Sequence, residues 1–147
     1  MDLCEHLVMQ FLTKDAHRFL SPQYSIRGDT GGEWSCPDFV ALDFHEKVVS
    51  IVEVSSAHKP RSLVSRVQKR DKQWIALLKD QLTANRVVDE TWSYRVEVFI
   101  REDAEASFRK AIGDPPDVHV HVLEKLGTPW QWERSSLPAG NTTSISR

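Results

Sequence analysis

The chain has 147 residues, 40% of them hydrophobic and 27% charged, with a net charge of −2. That suits one domain with one core, and no apolar run approaches the ~20 residues that span a bilayer, so no membrane partner is expected. A near-neutral balance excludes a nucleic-acid-coating surface over the whole domain and leaves room only for a local basic patch. Cys4 and Cys36 supply neither a disulfide framework nor a Cys-x-x-Cys zinc pattern. Residues 1–5 lack the basic start and apolar stretch of a signal peptide, so a cytoplasmic protein is expected.

In chain order, residues 2–20 are expected as a helix: Leu3, Leu7, Phe11 and Leu12 recur at helical spacing, Asp2 can cap, and Ser21-Pro22 ends the run. Residues 23–27 are a short strand candidate, followed by a turn at 28–32. The clearest strands are 38–44 and 48–54, both apolar on both faces, as central strands covered by helices are. The short gap at 45–47 makes them an antiparallel hairpin. Pro60 opens a long helix over 61–84, with Leu63, Val67, Trp74, Leu78 and Leu82 as one apolar stripe. Residues 94–100 alternate as a strand, 103–112 form a helix stopped by Gly113, and 118–122 alternate again as an edge strand with His119 and His121 on its polar outer face. From 137 the composition of Pro, Gly, Asn, Thr and Ser indicates a disordered tail over 137–147. The order predicts an α/β domain over 1–136 with a mixed sheet flanked by helices.

If the hairpin turn is His45-Glu46, with Phe44 opposite Lys47, then Asp43 faces Val48 and Asp38 faces Glu53. Directly opposed residues have Cβ atoms about 4.5–5.5 Å apart on one face, and a slip of one residue would separate them. Two carboxylates so placed among apolar neighbours need a partner or take up a proton. A hard divalent cation is one such partner; nearby basic residues are another.

Pro37-Asp38, then a strand, a turn and Ile51-Val52-Glu53-Val54-Ser55 resemble the core motif of the PD-(D/E)XK nuclease superfamily. The element order over residues 1–100 is similar to that family's restriction-endonuclease-like αβββαβ core. The resemblance implies that Asp38 and Glu53 bind Mg²⁺ or Mn²⁺, with the Val54 carbonyl as a further ligand. Ser55 stands where the family carries its motif lysine, which implies either that Lys59, Lys69 or Lys72 supplies the cation from a neighbouring element or that catalysis is lost. It also draws attention to Glu5 in the first helix, a first-turn acid on the residues' own terms, and to Gln68.

Six basic residues lie between 59 and 72, namely Lys59, Arg61, Arg66, Lys69, Arg70 and Lys72, opposed only by Asp71. They follow Glu53 in the chain, so the expected nucleic-acid contact is Arg61, Arg66, Gln68, Lys69, Arg70 and Lys72. Two leading readings follow, ahead of a weaker third, a metal-dependent enzyme acting on a small phosphorylated molecule. One is a metal-dependent nuclease hydrolysing phosphodiester bonds in DNA, with catalytic candidates Asp38, Glu53, Ser55, Lys69 and Lys72. The other is a catalytically degenerate module of the same fold that binds nucleic acid or a protein partner. A chain this short suits a homodimer or a partner subunit.

Overall fold

A computed structural model describes residues 1–28 and 34–127; most of the turn expected at 28–32 and the whole tail at 137–147 lie outside them. The described part is a five-stranded mixed sheet with helices on both faces. Its elements are α1 (Leu3–Thr13), β1 (Arg18–Pro22), β2 (Ile26–Arg27), β3 (Trp34–Ser35), β4 (Phe39–Asp43), β5 (Val48–Val54), α2 (Arg61–Gln68), α3 (Ala76–Ala84), β6 (Ser93–Ile100), α4 (Glu102–Ile112) and β7 (Val118–Val122). The strand order is β1-β4-β5-β6-β7, with β1, β4 and β5 antiparallel and β5, β6 and β7 parallel; β2 and β3 form a separate ribbon. No helix among the described residues is long and apolar enough to cross a membrane.

Alternation along the strands divides the core in two. Val49, Ile51, Val96, Val98 and Ile100 point to one face, where they meet Leu63, Val67, Trp74, Leu78, Leu82 and Phe108 of α2, α3 and α4. The predicted stripe of the long helix is thus wholly buried. Phe39, Ala41, Val52 and Phe99 point to the other face and meet Val8 and Leu12 of α1. Both faces of the central strands are covered, as their continuous apolar runs require.

Three expected boundaries are corrected. The first helix stops at Thr13, not at residue 20, and Arg18–Pro22 is the first strand of the sheet, with Phe19 opposite Leu42 and Leu20 opposite Ala41. Pairing with β4 outweighs the helical spacing of the apolar residues, because residues 14–17 carry nothing apolar large enough to hold a fourth turn on the sheet. Of the strand expected at 23–27 only Ile26–Arg27 forms, and it joins the ribbon; Gln23, in the left-handed region at φ 49°, turns the chain out of β1. The long helix is interrupted between α2 and α3 by a π-helical turn, Asp71–Ile75. Trp74 in that turn is fully buried, and its indole N–H donates to Ser35 Oγ at 2.8 Å, tying the ribbon to the helix layer.

The helix ends follow local chemistry. Asp2 and Glu5 form a reciprocal capping box on α1, each side chain accepting from the other's backbone N–H at 2.8 Å. α4 begins with Glu102, Asp103 and Glu105 and ends at Gly113, φ 75°, which leaves the helix in the left-handed conformation that glycine adopts without strain.

Candidate metal and active site

The β4–β5 register sets Asp43 opposite Val48 and Phe39 opposite Val52, as the His45-Glu46 turn predicts. The next pair outward is Asp38 and Glu53, at the open end of the hairpin. Asp38 is held at both ends: its carbonyl accepts from the Gln23 N–H at 2.9 Å and its Oδ2 from the Val54 N–H at 2.7 Å. The N–H and C=O of one strand residue point the same way, so the Val54 carbonyl also faces the Asp38 side of β5.

Glu53 is 6% exposed. Burial, followed by the neighbouring Asp38 carboxylate, pushes its pKa up to about 8, and the Arg66 guanidinium offsets only part of that rise. Arg66 Nη2 donates to Glu53 Oε2 at 3.4 Å and Nη1 to Ser62 Oγ at 3.0 Å; its Nε is buried with no acceptor among the described residues. Glu5 comes from the other face of the sheet. Burial raises its carboxyl, the Asp2 N–H pulls it back, and the Asp38 carboxyl, within hydrogen-bonding reach, raises it again. Glu5 therefore both caps its helix and neighbours Asp38. Asp38 and Glu53 form an oxygen-only donor pair suited to a hard cation at this end of the sheet, with Glu5 set against Asp38 alone. No three His, Cys, Asp or Glu side chains among the described residues converge as a ready-made metal cage.

The motif's other positions are accounted for locally. The Ser55 N–H donates to the Phe99 carbonyl at 2.9 Å and its Oγ accepts from the Ala57 N–H at 3.2 Å, so the hydroxyl shapes the loop after β5. Lys69 and Lys72 are exposed, and the ion pair to Glu53 among the described residues comes from Arg66. Arg70 instead forks onto Asp117 at 2.6 and 2.8 Å and donates to the Val67 carbonyl. Gln68 Nε2 donates to the Ala111 carbonyl at 3.3 Å. These two side chains tie α2 to α4 and to the start of β7, so the basic stretch divides into structural ties (Gln68, Arg70) and exposed cations with no ion pair among the described residues (Lys59, Arg61, Lys69, Lys72). Arg61 and Lys59 stand at the mouth of a hollow of about 350 Å³ between α2 and α4, floored by Val64 and Phe108.

Sequence reasoning missed the pair His58 and Asp103, 2.7 Å apart in the loop after β5 and the first turn of α4. Arg101 also reaches Asp103, at 2.9 Å. Its only signal in the sequence is a histidine five positions after Glu53. A second buried acid was missed as well. Glu97 of β6 is 5% exposed and meets His121 Nε2 at 3.0 Å and Arg95 Nη2 at 3.5 Å. Burial alone would raise its pKa; His121, Arg95 and Ser50 outweigh burial and bring it to about 2. His121 therefore does not belong to a polar outer face: it stacks on Phe99 at 4.4 Å and is half-buried, while His119 is exposed. No family model matches the chain, and no curated protein or solved structure is significantly similar to it.

Proposed function

We propose that the chain is a divalent-metal-dependent nuclease of the PD-(D/E)XK type that hydrolyses phosphodiester bonds in DNA. The observation that carries this reading is Glu53: a buried carboxyl beside Asp38 at the end of the sheet, whose pKa of about 8 marks a site short of positive charge. Metal fits that deficit. Mg²⁺ is commonly held by one or two carboxylates with waters and substrate phosphate completing the shell, so Asp38 and Glu53 suffice without a closed protein cage, with Glu5 and the Val54 carbonyl beside them. When bound, Mg²⁺ or Mn²⁺ would polarise the scissile phosphate and acidify an attacking water.

The chain's own residues supply the rest. The Val54 N–H anchors Asp38 through Oδ2 and so fixes the carboxylate beside Glu53. Arg66 takes the electrostatic task of the absent motif lysine: its guanidinium already reaches Glu53, and the exposed part of its side chain suits a phosphoryl oxygen whose charge grows in the transition state. Lys59 and Arg61 continue positive charge away from the site along the first turn of α2 and hold the DNA backbone.

One observation favours the degenerate alternative, a module that binds nucleic acid or protein without cleaving: the Arg66–Glu53 ion pair is an internal counter-charge of the kind that replaces a metal. Cleavage assays on DNA and RNA with Mg²⁺ and Mn²⁺ separate the two. The nuclease reading expects metal-dependent DNA cleavage that Asp38→Ala and Glu53→Ala both abolish. Folded protein that binds DNA but never cuts it, with either metal, establishes the alternative.

A further inference from the structure

The end of the sheet opposite the carboxylates carries an apolar surface that the active-site reading does not use. Phe19 of β1 is 63% exposed, Phe44 just after β4 is 48% exposed and Val87 after α3 is 42% exposed. The aromatic rings form a ladder, Phe19 edge-on to Phe44 at 5.3 Å and Phe44 edge-on to Trp92 at 5.1 Å. Beside them lies a hollow of about 480 Å³, lined by Phe44, Val87 and Trp92 and rimmed by Arg86, Asp89 and Glu90. A contiguous apolar patch with a mixed-charge rim is the signature of a protein contact.

We infer that this surface is the contact between two copies of the chain. Two features select a second copy as the occupant. First, a projecting aromatic side chain, Phe19, stands next to the hollow. A two-fold axis presents the same patch from both sides, so each copy's Phe19 can enter the other's hollow. Second, the rim carries both signs. A two-fold axis through the rim can set Arg86 of each copy against Asp89 and Glu90 of the other, whereas a strongly acidic or strongly basic partner would meet repulsion on part of the rim.

The contact is made by side chains and not by extension of the sheet. β1 is an edge strand, but its outward backbone is blunted: the Arg18 N–H already donates to the Asp15 carbonyl at 3.2 Å, and Pro22 has no N–H to offer. Only Leu20 retains an outward donor along the strand, too little for a continuous ladder between copies.

The contact lies at the far end of the sheet from Asp38 and Glu53 and does not depend on the nuclease reading. Sedimentation velocity of the full chain over two decades of concentration tests it. The expected result is a reversible monomer–dimer equilibrium that Phe19→Ser weakens by roughly tenfold or more, as loss of a central aromatic anchor does, with an unchanged melting curve at concentrations where both chains are monomeric. Arg86→Glu weakens the dimer, and adding Glu90→Arg to it restores the dimer. A wild-type chain that stays monomeric throughout, or a dimer that survives Phe19→Ser unchanged, overturns the inference.

Discussion

Glu53 and Glu97 occupy neighbouring strands, are equally buried, and differ oppositely in acidity: Glu53 is pushed up to about 8 and Glu97 down to about 2. Burial acts on both in the same direction. What differs is company. Glu97 faces the α1 side of the sheet, where His121, Arg95 and Ser50 converge on it. Glu53 faces the α2 side beside another acid, Asp38, with one partly exposed arginine in reach. A fold can satisfy a buried carboxylate from within; here it does so at Glu97 and leaves Glu53 short of charge. On the proposed reading, that contrast separates a structural acid from one whose charge an outside cation would balance.

The largest break in the comparison comes from Glu97. Glu97→Ala leaves Arg95 and His121 half-buried without their acid, and the expected cost is about 3–5 kcal/mol in denaturant unfolding at neutral pH. Glu53→Gln has the opposite sign. It removes a charge the metal-free site cannot accommodate, and the metal-free protein is expected to gain on the order of 1–3 kcal/mol at pH 8 while losing cleavage.

The pH dependence sharpens the same point. Glu97 has a folded pKa below its ordinary 4.5, so its stabilisation is fully present above that value and is lost as pH falls toward about 2. Glu53 has a folded pKa above 4.5, so the folded state holds the extra proton; its contribution is full below 4.5 and is lost as pH rises to about 8. Unfolding free energy of the metal-free chain should therefore decline on both sides of a maximum near pH 4.5–5, as far as these two groups determine it. Glu53→Gln flattens the alkaline arm and Glu97→Gln the acid arm. The smallest effect concerns the basic stretch. Arg70→Ala breaks the fork to Asp117 and is expected to cost about 1–2 kcal/mol of stability with DNA affinity unchanged. Arg61→Ala should leave stability unchanged and weaken DNA binding, with a shallower dependence on salt. Melting curves and salt-dependent anisotropy titrations distinguish the two arginines.

Much of this site was legible locally. The alternation of 38–44 and 48–54 and the short turn between them set the register, and the register alone brings Asp38 opposite Glu53. The stripe from Leu63 to Leu82 was equally legible, since helix burial has one dominant period. What was not legible depends on contacts distant in the chain. Phe11-Leu12 and Phe19-Leu20 repeat at a spacing that suits a helix, and only the partner strand β4 makes Arg18–Pro22 extended. The division of the basic helix into structural ties and exposed cations required Asp117 and Ala111, more than forty positions away. The internal solution at Glu97 required β6 and β7 to lie side by side, which sets His121 against it. Arg66 was anticipated as a nucleic-acid contact; its ion pair with Glu53 emerges only when α2 folds back over the end of β5.

The most direct test of the contrast between the two glutamates is titration calorimetry of the full chain with Mn²⁺ near pH 7, in two buffers of different ionisation enthalpy. The account predicts a bound ion with release of about one proton as Glu53 gives up the hydrogen it holds in the metal-free site, with both signals lost in Asp38→Ala and retained in Glu97→Gln. No binding, or binding without proton release that persists in Asp38→Ala, would contradict it.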